Sequence, residues 1–142
     1  MKYTKLNEYL SNLAVINVKL HNLHWNVQGL EFMAIHTFTE DLYNAFFLQY
    51  DDIAELIKIQ GKKPLATLKD YLNHASITES QKDNFTPIEV VKILLEDLNT
   101  LRKQAKEIRS IANEEDDFNT VSMFEEHLSL LDKNLWFLRS ML

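Results

Sequence analysis

Apolar side chains recur at three- and four-residue steps along most of the chain. Leu6, Tyr9, Leu10, Leu13, Ile16, Leu20, Leu23 and Val27 mark one face of a long helix that Gly29 ends. A second helix is expected from near Ala34 to Gly61, closed by Lys62-Lys63-Pro64, because proline disfavours helix at the residue before it. Leu65 to Leu72 suits a short helical piece, and Asn73 to Phe85, rich in Ser, Thr, Asn and His, reads as a connection that crosses the bundle. Thr86-Pro87-Ile88-Glu89 offers a hydroxyl N-cap, a first-turn proline and a glutamate that bonds back to the cap. The stripe it opens is Ile88, Val91, Leu94, Leu95, Leu98, Leu101, Ala105 and Ile108, fading into Asn113-Glu114-Glu115-Asp116-Asp117. A last helix starts near Asp117, whose charge suits a positive helix N-terminus, and carries Val121, Phe124, Leu128, Leu131, Leu135, Leu138 and Leu142. The pattern predicts an all-α four-helix bundle, two of its helices long, with one crossover that holds a short extra helix.

Composition narrows this further. With two glycines and two prolines, the chain lacks the turn punctuation of a β-sandwich or barrel. Its 142 residues suit one domain, 1–142. A net charge of −6 opposes an electrostatic grip on phosphate backbone. The two lysines of Met1-Lys2-Tyr3-Thr4-Lys5 soon meet Glu8, and Leu142 ends the chain with no basic tail, so DNA binding is not expected. Having no cysteine, the chain forms neither disulfides nor thiolate metal sites. No membrane-spanning run or signal segment stands out, and a cytoplasmic location is expected.

The second helix is unusual in carrying two stripes. Ile35, Phe38, Leu42, Phe46, Ile53, Leu56 and Ile57 form a core face. Roughly 140° around the wheel lie His36, Glu40, Tyr43, Phe47, Tyr50, Asp51 and Ala54, with Glu55 at the edge. Either another copy of the chain covers this aromatic and ionisable stripe, or one wide core takes in both.

His36 and Glu40 stand four residues apart and project side by side, as do Asp51 and Glu55. The pairs are 15 residues apart, roughly 22 Å along the axis, too far to share one ion within a chain. Two antiparallel copies of the helix would bring one chain's His36 and Glu40 against the other's Asp51 and Glu55, giving two equivalent sites. His24 is in phase with the apolar face of the first helix and completes the first half-site. Each of these residues is unremarkable alone, as a core histidine or surface decoration. Together, two imidazoles and three carboxylates suit Fe(II) or Mn(II) rather than a closed zinc site. No glutamate has a histidine three residues later, which removes the intrasubunit di-iron pattern. His21 and His127 have no carboxylate partner at helical spacing, and with His74 they read as structural or surface residues.

The run His21-Asn22-Leu23-His24-Trp25-Asn26-Val27-Gln28-Gly29, then Phe32, His36, Leu42-Tyr43 and Asp51-Asp52-Ile53-Ala54-Glu55, resembles the Dps (mini-ferritin) family over essentially the whole chain. The spacing of His24, His36, Glu40, Asp51 and Glu55 is similar to that family's ferroxidase pattern, although the family usually has aspartate at the position of Glu40. The resemblance implies a ferritin-like bundle and a twelve-subunit hollow shell built from dimers. It implies a ferroxidase that oxidises Fe(II), typically with hydrogen peroxide, and stores ferric mineral against oxidative damage. His24, His36 and Glu40 would come from one subunit, and Asp51 and Glu55, the anchors of the tighter iron, from its neighbour. It places Trp25 near the iron as a possible radical interceptor, where packing is the simpler role. It also suggests that Glu114-Glu115-Asp116-Asp117 lines a pore, where a solvated loop and helix cap is the simpler reading. Two other functions stand beside this one: a DNA-protecting shell without a basic tail, and a structural bundle with an inactive site.

Overall fold

The computed structural model describes residues 1–142, which form α1 (Lys2–Asn26), α2 (Phe32–Ile59), α3 (Leu68–His74), α4 (Pro87–Glu114) and α5 (Phe118–Ser140). All four principal helices are long, from 23 to 28 residues, where the apolar pattern pointed to two. Side-chain pairs across the bundle fix its topology. Tyr3 reaches Gln60 and His24 reaches Thr39, so α1 and α2 are antiparallel. Lys5 meets Glu107 and Lys19 meets Asp97, so α1 and α4 are antiparallel too. Arg109 meets Glu125 across the α4–α5 hairpin. Because α2 and α4 then run the same way, the chain must travel the length of the bundle between them, and the α3 segment makes that crossover.

The crossover is pinned to α1 by side chains whose partners are remote in sequence. Asn12 accepts from the amides of Ser76 and Ile77, and Asn22 donates to the carbonyls of Ser80 and Lys82. Gln28 and Phe85 pair through the backbone, with the Gln28 amide donating to the Phe85 carbonyl. A Cβ on Gly29, whose φ is +131°, would lie 3.1 Å from Pro87, so glycine is needed where the α1–α2 turn meets the start of α4. At that start the expected capping box forms: the Glu89 amide donates to the Thr86 hydroxyl and the Thr86 amide to the Glu89 carboxylate.

Every position of the α1 stripe is buried, as are Ile35, Leu42, Phe46, Ile53, Leu56 and Ile57 on α2. Tyr9 packs edge-on against Phe124 at the centre, with ring centroids 5.1 Å apart. Phe38, Leu95, Val121 and Leu128 of the expected stripes are half-buried, and Ile88 and Leu142, at the stripe ends, are exposed. Helix α1 starts at Lys2, four residues before its apolar stripe. The ammonium of Lys2 is buried between Glu115 and Asp117, at 2.7 and 2.9 Å, and this holds the first turn in place. Burial works against the charge of Lys2, but hydrogen bonds to Glu115 and Asp117 outweigh it and raise its pKa.

Candidate metal centre

His24, near the C-terminal end of α1, and His36, in the first turns of α2, face each other because the two helices form a hairpin around Gly29. Their rings stack with centroids 3.6 Å apart and planes 13° from parallel. The backbone contacts are reciprocal. His24 Nδ1 donates to the His36 carbonyl at 2.7 Å, and His36 Nδ1 donates to the His24 carbonyl at 2.9 Å. A carbonyl only accepts, so each Nδ1 must carry the proton. Nε2 is thereby the nitrogen of each ring left to bind a metal, which it does in the neutral tautomer that a proton on Nδ1 specifies.

Burial lowers the pKa of His24, the backbone hydrogen bond opposes that shift, and the adjacent His36 reinforces it. His24 is therefore neutral at physiological pH. Glu40 is exposed and close enough to His24 to favour its charged form, which puts a carboxylate beside the imidazole pair.

Asp51 and Glu55 are also exposed, further along α2. No three His, Asp or Glu side chains converge on one point within the chain. The structure thus brings His24, His36 and Glu40 to one end of the α1–α2 face and leaves Asp51 and Glu55 apart from them. The core does not take in both stripes of α2: Phe47 is 56% exposed and the four carboxylate and aromatic neighbours Glu40, Asp51, Glu55 and Tyr43 are exposed or half-buried. Apolar side chains continue from this stripe toward α3. Phe47 lies beside Tyr50, whose hydroxyl donates to that of Tyr71 at 2.7 Å, and Tyr71 shares a shallow pocket with the exposed Val18, Leu68 and Leu72.

Two neighbours of the site were not among the candidate ligands. His21 stacks on Tyr43 with centroids 3.9 Å apart, and Tyr43 meets His24 edge-on at 5.3 Å. Thr39, fully buried, places its hydroxyl 3.0 Å from His24 Nδ1. Trp25 is 66% exposed, so the packing role is not met within one chain, and its ring lies 5.5 Å from that of His21.

Outside this face, His127 is buried with an unpartnered Nδ1, and burial pulls its pKa down to about 4. Asp117 is not free to line a pore. It caps α5 through Thr120 and also binds Lys2 and Gln60. Burial opposes its charge, but these bonds hold its pKa down to about 2. Of the acidic run, only Glu114 and Asp116 lack a cation within the chain. No helix is long and apolar enough to cross a membrane.

Residues 3–142 match the ferritin-like domain family. The "DNA protection during starvation protein" of Helicobacter pylori is 35% identical over 141 residues, covering 99% of this chain and 98% of its own. A Dps protein from Bacillus brevis superposes with a TM-score of 0.94 at 34% identity, covering 99% of this chain and 93% of that one. The Dps protein of Vibrio cholerae O1, described as a member of a broad superfamily of ferritin-like diiron-carboxylate proteins, gives 0.94 at 27% identity, with 99% and 87% covered. With its bundle, its crossover helix and its paired histidines, the chain belongs to the ferritin-like family and, within it, to the Dps proteins.

Proposed function

We propose that this protein oxidises Fe(II) and retains the ferric product, with each oxidation site assembled from two copies of the chain. The observation that carries the reading is the reciprocal His24–His36 clasp, which ties up Nδ1 of both rings on backbone carbonyls and leaves Nε2 as the atom of each ring able to bind a metal, beside Glu40. An iron-binding site built only from nitrogen and oxygen donors, with positions left open, suits Fe(II) as a substrate. The membership of a relative in the diiron-carboxylate superfamily supports the same metal.

Asp51 and Glu55 complete the donor set when a second copy lies antiparallel across α2, and the exposed Phe47, Val18, Leu68 and Leu72 give that copy an apolar surface to cover. Hydrogen peroxide as oxidant takes one electron from each of two Fe(II) ions together with two protons, its O–O bond breaking to give two waters, which leaves two ferric ions and no hydroxyl radical. The role of the protein's groups is to hold both ions near one another, to fix the Nδ1 proton of each imidazole on a backbone carbonyl so that Nε2 faces the ion, and to exclude bulk water from the joint. Six such dimers closing into a twelve-subunit shell would store the ferric mineral. At a net charge of −6, protection of DNA would come from removing iron and peroxide rather than from coating the polymer.

Anaerobic Fe(II) loading followed by a peroxide pulse tests this, with ferric absorbance recorded and light scattering measured on the same sample. Rapid oxidation in a particle of about twelve chains, abolished by Asp51→Ala, is expected. A monomer without an iron-dependent signal would refute the proposal.

A further inference from the structure

Helix α2 turns a threonine into the α1–α2 interface at a position where an aliphatic residue would fill the same space. Thr39 is fully buried, and its neighbours on the same face, Ile35, Leu42 and Phe46, belong to the apolar core. Threonine is a poor choice for a helix interior: its branched Cβ restricts the rotamer, and its hydroxyl competes for the backbone. Neither packing nor helix propensity accounts for the hydroxyl.

Its hydrogen bonds do. The hydroxyl lies 2.8 Å from the Ile35 carbonyl and 3.0 Å from the His36 carbonyl, so its one proton goes to the backbone of its own helix. Its lone pairs then face His24 Nδ1, 3.0 Å away, whose proton is shared with the His36 carbonyl at 2.7 Å. His24 is thus held by two acceptors on α2, whereas His36 Nδ1 has only the His24 carbonyl. The two imidazoles are not equivalent. His24, buried, has two acceptors behind its Nδ1, whereas the half-buried His36 has one and is held instead between the rings of His24 and Phe32.

We infer that Thr39 is a positioning residue for the metal site: its hydroxyl fixes the plane of the His24 ring and so directs His24 Nε2 at the ion. The inference rests on the proposed site and adds a group that touches no metal itself. Partners in this position behind a ligating histidine commonly change metal affinity or activity by roughly 10- to 100-fold. Because the His36 carbonyl would still hold the tautomer, the lower end of that range applies here.

The probe is Co(II), titrated anaerobically into the assembled protein and followed by its visible absorption, with thermal unfolding of the metal-free protein measured in parallel. Thr39→Val keeps the volume and removes the hydroxyl; Thr39→Ser keeps the hydroxyl and removes the methyl. Expected are Co(II) binding weaker by about tenfold in Thr39→Val, with a changed absorption band and an undiminished thermal midpoint, and near-wild-type affinity in Thr39→Ser. If Thr39→Val binds Co(II) within about twofold of wild type, or if Thr39→Ser is as weak as Thr39→Val, the inference fails while the site stands. A wild-type protein that takes up no Co(II) removes the site itself, and the inference with it.

Discussion

A shared site makes a quantitative prediction about mixed assemblies. Take two inactive variants, His36→Ala, which damages the half-site carrying His24 and Glu40, and Asp51→Ala, which damages the half-site carrying Glu55. Within one chain these half-sites are 15 residues apart on α2, roughly 22 Å, so neither chain can bridge them alone. In a mixed dimer, the Asp51→Ala chain contributes an intact histidine half-site and the His36→Ala chain an intact carboxylate half-site. One of the two sites is therefore whole, and the other carries both lesions. Random pairing of equal amounts makes half of the dimers mixed, and half of the sites in those are whole. About a quarter of wild-type oxidation should return. The assay is co-refolding of the two variants from denaturant, followed by ferric absorbance after a peroxide pulse, with each variant refolded alone as the baseline. Mixed samples as inactive as the separate variants would show that each site is built within one chain. With both variants inactive alone, recovery rising from a quarter toward about half would show that unlike chains pair preferentially, and anything beyond about half would refute the two-half-site scheme.

Two further outcomes concern the frame that carries the site. His127 in the folded chain titrates near 4 instead of 6.5, so between those pH values the unfolded chain binds a proton that the folded chain refuses. Stability is full above pH 6.5 and falls by roughly 3 kcal/mol as the pH drops toward 4; urea unfolding of His127→Leu should lack that slope, and an unchanged slope would refute the assignment. Lys19 and Asp97 form a 2.6 Å ion pair with side chains 7% and 10% exposed, joining α1 to α4. Lys19→Met should cost about 3–5 kcal/mol at neutral pH by stranding the carboxylate, and adding Asp97→Leu should restore most of it. Burial already raises the Asp97 pKa against the pull of Lys19, so the cost of Lys19→Met should shrink as the pH falls and Asp97 takes up a proton. A loss under about 1 kcal/mol would mean that the pair is solvated.

Much of this molecule was legible in its order of residues, because helices are local. Three- and four-residue periodicity placed every long helix, and Thr86-Pro87-Ile88-Glu89 marked the start of α4 because a capping box is closed by neighbours. The crossover helix was expected at Leu65–Leu72 and lies at Leu68–His74, capped by Thr67, whose hydroxyl accepts from the Asp70 amide. The candidate ligands were legible for the same reason: His36 with Glu40 and Asp51 with Glu55 are single-turn neighbours, and their separation along one helix is arithmetic.

Contacts between distant residues were decided elsewhere. Nothing near Lys2 in the chain announces that Asp117 and Glu115 will enclose it, and that ion pair sets where α1 begins and takes two carboxylates out of the acidic run. His21 was set aside for want of a carboxylate four residues away, yet its partner is Tyr43, on the next helix. Thr39 has no periodic signature, since one hydroxyl within an apolar stripe looks like a tolerated substitution. Only the hairpin of α1 on α2 stacks His24 against His36, gives each ring the other's carbonyl, and sets the Thr39 hydroxyl behind one of them. Periodicity reports which side of a helix is buried; the fixing of a tautomer and a ring plane depends on atoms placed to within tenths of an ångström, and that placement comes from how two helices dock.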